Sequence, residues 1–143
     1  MSKREFDMRK KLTARGFPWD ILKTRTIDGI EGLVLVVAQD SRTDRVLMVA
    51  FTNMEGIKKT LKTGNAHYFS TSRNKSWMKG ETSGNVQKVE SIHIDCDADV
   101  LLMKVKQVGG ACHEGYISCF YRKIGKDGLE VIENRVFDPE MVY

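Results

Sequence analysis

The stretch Gly32-Leu33-Val34-Leu35-Val36-Val37-Ala38, then Asp40-Ser41-Arg42-Thr43-Asp44, then Arg45-Val46-Leu47-Met48-Val49-Ala50-Phe51 sets two β-branched apolar runs around a polar turn. Runs of that kind, joined by turn-forming residues, predict the two strands of a hairpin. The pattern then changes period. Thr52-Asn53-Met54-Glu55 reads as a capping box, Met54, Ile57 and Leu61 recur at helical spacing, and Gly64 is a natural stop. Downstream, Ala66–Thr71 reads as a short strand leading into a loop, and Val86–Ile94 and Val100–Val108 as a strand pair. Phe120–Ile124 and Leu129–Ile132 flank Gly125-Lys126-Asp127-Gly128 as a last hairpin. Such short connections leave no room for βαβ crossovers. The expectation is an α+β fold, a predominantly antiparallel β single domain over residues 1–143 with one or two short helices.

Composition narrows the class. The chain has 143 residues, 41% of them hydrophobic and 29% charged, as in an ordinary globular domain. The formal net charge of +4 is uneven. Residues 1–25 hold eight Lys/Arg against three Asp/Glu, and the rest is almost neutral. The surplus therefore belongs to one N-terminal segment, simplest as a solvated helix, and not to a nucleic-acid-binding face. No window approaches the apolar length of a membrane span, and Met1-Ser2-Lys3-Arg4-Glu5-Phe6-Asp7 lacks an apolar leader core. A cytoplasmic protein with reduced thiols is expected.

The only cysteines are Cys96, Cys112 and Cys119, within Asp95-Cys96-Asp97-Ala98-Asp99 and Gly110-Ala111-Cys112-His113-Glu114-Gly115-Tyr116-Ile117-Ser118-Cys119-Phe120. An isolated cysteine is usually a small core residue. Three in one quarter of the chain, beside carboxylates and a histidine, fit a metal site better. A disulfide would leave one thiol over. Sulfur donors favour zinc or iron–sulfur chemistry, and a cluster normally takes four cysteines. Spacings of sixteen and seven positions contain no close CxxC pair of the structural-zinc kind. Three thiolates would leave zinc a position for water, whereas His113 or His93 as a fourth ligand would close the site. Spacing favours the open form and does not exclude the closed one.

Asp95, Asp97 and Asp99 are hard oxygen donors suited to Mg²⁺, although a solvated acidic turn explains them equally well. On a straight strand the outer two would lie about 13 Å apart, too far for one ion, so ligation requires the segment to bend. A second window, Tyr68 to Asn85, mixes hydroxyls and glycines with Arg73, Lys75, Lys79 and Trp77. Backbone amides, hydroxyls and cations together can cradle phosphate, and an indole can stack on a base. A solvated loop around one buried Trp is the plainer explanation of that window alone.

Taken together, the two windows resemble the phosphoribosyl-AMP cyclohydrolase family of histidine biosynthesis. The likeness rests on Ser70, Ser72, Arg73, Trp77, Lys79-Gly80-Glu81, Ser83-Gly84-Asn85, Asp95-Cys96-Asp97-Ala98-Asp99, Leu101-Leu102, Gln107, Gly110-Ala111-Cys112-His113 and Ser118-Cys119-Phe120. It runs from about Gly32 to Ile124, leaving the basic segment of about residues 1–25 outside. Thr71 and Tyr116-Ile117 depart from it, standing where basic residues are common.

The resemblance implies hydrolytic opening of the adenine ring of 1-(5-phosphoribosyl)-AMP at its N1–C6 bond. It implies Zn²⁺ on Cys96, Cys112 and Cys119, and Mg²⁺ on Asp95, Asp97 and Asp99. It also implies an intertwined homodimer with metal sites shared between subunits. His113 is the expected catalytic proton carrier for zinc-activated water. Ser72, Arg73, Trp77, Lys79, Glu81 and Ser83 are the expected substrate contacts, with the two phosphates near Arg73 and Lys79. No nucleic-acid or membrane partner is expected. A zinc nucleobase deaminase is the nearest rival, but its H-x-E…P-C-x-x-C signature is absent. A zinc-stabilised nucleic-acid-binding module would want a basic face and no turnover.

Overall fold

A computed structural model describes residues 16–143. The basic segment falls mostly outside the described residues, and so does the helix expected there. The strands are β1 (Arg25–Ile27), β2 (Ile30–Asp40), β3 (Val46–Thr52), β4 (His67–Ser70), β5 (Lys75–Met78), β6 (Gln87–Ile94), β7 (Val100–Gln107), β8 (Arg122–Gly125) and β9 (Gly128–Val131). Among the described residues one helix, α1 (Met54–Thr63), and a 3₁₀ turn (Pro139–Met141) complete them. The fold is α+β: one sheet in the order β5-β4-β3-β2-β7-β6, with β1 added beside β2, and a separate β8-β9 hairpin.

β2 is the centre of the sheet, and its sequence shows why. Val34, Val36, Ala38 and Asp40 are buried at period two, while Leu35, Val37 and Gln39 alternate with them at intermediate exposure. Leu101, Met103, Val105 and Gln107 repeat that alternation on β7. Together with Leu47, Ile57, Leu61, Tyr68 and Val89 these side chains make the core. Burying each such aliphatic side chain is worth about 1.5–3 kcal/mol.

The β2–β3, β4–β5, β6–β7 and β8–β9 pairs are antiparallel, as the short connections required. One pair departs from that pattern. β2 and β7 run parallel, with Leu35 opposite Val100 and Asp40 opposite Val105. The crossover between them is not one helix but β3, α1, β4, β5 and β6 together, so no local connection length could reveal it.

α1 begins one residue later than the capping box suggested. Asn53, not Thr52, is the N-cap and accepts a 2.8 Å hydrogen bond from the Gly56 amide. The Thr52 hydroxyl instead donates to the His67 carbonyl at 3.0 Å. Gly64 ends the helix at φ 79°, where its amide bonds Thr60 O. Ile57, Thr60 and Leu61 face the sheet, and Met54 in the first turn is exposed. The Thr60 hydroxyl accepts the His67 amide at 2.9 Å, tying helix to β4. The expected loop after Thr71 contains a strand, β5, whose Trp77 pairs with Tyr68 of β4.

Candidate active site

The turn between β6 and β7 bends as metal ligation required. Ala98 N–H bonds Asp95 O at 3.0 Å, with Ala98 in the left-handed region at φ 61°. Asp95 Oδ1 accepts the amides of Asp99 at 3.0 Å and Val100 at 3.1 Å. Burial works to raise the Asp95 carboxyl. The Val100, Asp99 and Ala98 amides and the Asp99 side chain outweigh it and hold the group below the usual carboxylate range. Oxygens of Asp95, Asp97 and Asp99 come within 4.8 Å of one another, the one such group of three acidic or soft donors among the described residues. An all-oxygen set of that size suits a hard cation. Arg25 of β1 pairs with Asp99 at its edge.

The three thiols are not brought together in one chain. Cys96 is exposed in the acidic turn before β7, whereas Cys112 and Cys119 follow the far end of that strand. Eight residues of β7 separate the two ends by roughly 23 Å at strand rise. Cys112 and Cys119, by contrast, are neighbours, close enough for the Cys112 charge to act on the Cys119 thiol.

The chain from Gly110 to Cys119 folds back on itself to achieve this. Ala111 N–H bonds Ile117 O at 2.9 Å and Cys112 N–H bonds Tyr116 O at 3.1 Å. A Cβ on Gly110 would stand 2.5 Å from Tyr116 O, so glycine is required for that closure. Ser118 Oγ donates to Val46 O and Cys119 N–H to Leu47 O, both at 2.7 Å, pinning the loop to β3. The Cys112 sulfur accepts the Glu114 amide at 3.4 Å. Cys119 is an exposed residue, yet its thiol is shielded enough that burial, aided by the Cys112 charge, pushes it up to about 11 against a counter-pull from Lys79.

Lys79 is itself buried beneath the loop and donates to Ala111 O. Burial pushes its amine down, opposed by Cys119 and Cys112. Its Nζ also lies 5.7 Å from the Trp77 ring centroid. His113, next in sequence to Cys112, projects outward with Nε2 3.4 Å from the Glu114 carboxylate. His93 lies on β6 and bonds Ser91 Oγ at 3.0 Å. Among the described residues neither histidine completes a three-donor group with the thiol pair.

A cleft of about 1540 Å³ opens over this region. Its lining includes Ser72, Arg73, Trp77, Lys79, Glu81 and Ser83, every expected substrate contact, and also His113. These residues differ in their freedom to bind. Ser72 and Arg73 are exposed, with Arg73 N–H on Ser70 Oγ at 3.2 Å. Ser83 Oγ accepts the Asn85 amide at 3.1 Å, and Glu81 accepts the Met78 amide at 2.7 Å. Trp77 is half-buried, its ring 5.3 Å from that of Tyr68.

The opposite wall comes from residues 135–143, which sequence reasoning passed over. Val136 N–H bonds Gly115 O at 2.7 Å, Arg135 Nε bonds Glu114 O at 2.8 Å, and Tyr143 meets the His113 ring edge-on at 6.5 Å. The aromatics Phe137 and Tyr143, with Val136, Met141 and Val142 in the same tail, were the available signal.

A model of the phosphoribosyl-AMP cyclohydrolase family matches residues 48–121, a little over half of the chain. The chain belongs to the phosphoribosyl-AMP cyclohydrolase family. The matched span runs from β3 to just past Cys119 and so holds the loop, both turns and all three thiols. A phosphoribosyl-AMP cyclohydrolase of Methanothermobacter thermautotrophicus is 56% identical over 115 residues, covering 79% of this chain and 83% of its own. That of Methanococcoides burtonii is 54% identical over 122 residues, covering 85% and 98%. The histidine biosynthesis bifunctional protein HisIE of Thermoanaerobacter pseudethanolicus is 52% identical over 124 residues, or 87% of this chain and 57% of that longer protein. Membership of the cyclohydrolase family makes the chain a ring-opening hydrolase of histidine biosynthesis. Among the described residues no helix is long and apolar enough to cross a membrane.

Proposed function

We propose that the chain hydrolyses the adenine ring of 1-(5-phosphoribosyl)-AMP at N1–C6 in the cytoplasm, as a single-domain homodimer that binds Zn²⁺ and Mg²⁺. The observation that carries this reading is the Cys112–Cys119 pair, with His113, next in sequence to Cys112, lining the cleft and Cys96 at the opposite end of β7.

Two adjacent sulfurs, one accepting an amide N–H, are a donor set that fits zinc but stop one thiolate short of the expected three. Cys96 of a second copy completes the set. Twofold symmetry makes the exchange reciprocal, so each copy lends its acidic turn to the other's loop. The exposed β8–β9 hairpin supports such pairing: Ile124, Leu129 and Val131 are 85%, 61% and 59% exposed. A lone two-stranded hairpin with apolar faces in water is marginal, and a second copy would cover it. Asp95, Asp97 and Asp99 would hold Mg²⁺.

Zinc at the thiols would supply Lewis acidity that lowers the pKa of water towards neutrality. The chain's own residues do the rest. Arg73, with Ser72 and Ser83, holds phosphate at the open side of the loop. Trp77, steadied by Tyr68, offers a face for the base. Glu81 keeps the Met78–Glu81 turn in shape through its bond to the Met78 amide. His113 accepts a proton from the attacking water and returns it to the departing ring nitrogen. The N1 substituent already makes C6 electrophilic, so positioning and one proton carrier suffice.

The test mixes two inactive variants. Cys96→Ser keeps the thiol pair, and Cys119→Ser keeps the donated thiol. Random re-pairing gives half heterodimers with one intact site each, restoring about a quarter of wild-type turnover in an ultraviolet ring-opening assay. No recovery from two folded dimeric variants refutes the shared site. Wild-type activity undiminished by a chelator refutes the metal dependence.

A further inference from the structure

Lys79 is oriented inward, toward the thiols, and not outward toward the mouth of the cleft. It is only 8% exposed, and its ammonium donates to the carbonyl of Ala111, the residue before Cys112. The two sulfurs are close enough to act on its charge, Cys119 more strongly than Cys112. The Trp77 ring stands over Nζ, and the Lys79 backbone amide is bonded to Ala66 O at 3.0 Å, so the head and the backbone of the residue are both held. A phosphate-binding lysine needs a mobile, solvated head to meet its ligand. Arg73, Lys75 and the hydroxyls of the same loop are exposed or partly exposed and line the cleft, so phosphate has other cationic partners.

We propose that Lys79 is a positioning residue of the metal site: it holds the Gly110–Cys112 turn through Ala111 O and supplies the buried counter-charge for the Cys112/Cys119 pair, taking no part in phosphate binding. Two thiolates in a shielded pocket repel each other, and three around one divalent ion leave a net negative centre. A fixed cation beneath them offsets that charge. Through Ala111 O it also fixes the backbone from which Cys112 projects. Partners of this kind, which orient a ligand without touching the metal, typically change affinity by about 10–100-fold when removed. The proposal rests on Cys112 and Cys119 being zinc ligands.

Four variants of the dimeric full chain test it: Lys79→Met, Lys79→Gln, Lys79→Arg and Cys112→Ser, each checked for folding by circular dichroism. Lys79→Gln keeps a donor for Ala111 O and removes only the charge, so it serves where Lys79→Met does not fold. Zinc affinity is read by competition with a chromogenic chelator, and thiolate donation by the thiolate-to-cobalt charge-transfer band of the Co²⁺-substituted protein. Loss of the counter-charge weakens zinc by about 10–100-fold in the Met and Gln variants. It also shifts the cobalt band and leaves KM near wild type, while Arg restores affinity. Unchanged zinc affinity and an unmoved cobalt band in the Met and Gln variants, with a raised KM, overturn the proposal and return Lys79 to the phosphate site. Zinc retained by Cys112→Ser would instead overturn the ligand assignment beneath it.

Discussion

The Tyr68 hydroxyl donates a 2.5 Å hydrogen bond to Gln87 Oε1, both side chains being fully buried. Gln87 Nε2 passes the chain on to Gln107 Oε1 at 2.9 Å, and Gln107 Nε2 reaches Asn85 O at 3.1 Å and Val108 O at 2.8 Å. The relay crosses the core from β4 to β6 and β7. It ends where the substrate loop and the approach to the metal loop meet. Burial, with the Cys119 charge second, raises the Tyr68 phenol, so it stays a donor throughout the working range. Tyr68→Phe strands a buried amide oxygen, and the urea midpoint should fall by the equivalent of about 1–3 kcal/mol. Tyr68→Phe combined with Gln87→Met should cost less than the two single changes summed, because the second change removes the stranded acceptor.

His113 is exposed, adjacent to a thiol of the pair and committed to no buried hydrogen bond, which suits a group that must gain and lose a proton. His113→Ala should lower kcat by about 10²–10⁴-fold with KM close to wild type. Wild-type kcat across the pH range would assign the proton transfer elsewhere.

Arg73 stands on the open side of the cleft with its guanidinium free of any protein partner in the described hydrogen bonds and ion pairs. A charge-assisted bond to phosphate is worth about 1.5–3 kcal/mol, so Arg73→Ala should raise KM tenfold or more. kcat at saturation should change little. The KM of the wild type should climb with ionic strength, and that of the variant less steeply.

Local chemistry made most of the fold legible. The strands β2 and β7 stand on the apolar runs Leu33-Val34-Leu35-Val36-Val37-Ala38 and Val100-Leu101-Leu102-Met103, and Gly64 marks the helix end where it stands. The misreadings share a cause. Thr52 and Asn53 are both good caps, and only the docking of α1 on β4 decides that Thr52 serves His67 O. The parallel β2–β7 pair joins strands about sixty residues apart, which no local period encodes. The burial of Lys79 was not legible, because nothing in Met78-Lys79-Gly80 reports the loop that closes over it. Cys96 was legible as a ligand type, but its distance from the other thiols became visible only with β7 extended between them.

The cysteines differ enough in surroundings to be told apart by alkylation. In the chelator-stripped protein the Cys119 thiol, pushed up to about 11, is ionised to about one part in a thousand at pH 8, and the thiolate is the reacting form. Cys112 is buried and Cys96 exposed. Iodoacetamide should therefore modify Cys96 first, as located by peptide mass mapping. Restoring zinc should protect Cys96 together with the pair, because it closes the partner's site; a Cys96 that reacts equally fast with zinc bound would exclude it from the metal. The raised Cys119 value also sets the alkaline stability of the metal-free form. The folded chain binds that proton more tightly than the unfolded chain, whose thiol titrates near 9.0. The contribution is intact below that value and disappears as pH rises through about 11. Urea midpoints of the stripped protein should fall across this window, and Cys119→Ser should flatten the fall.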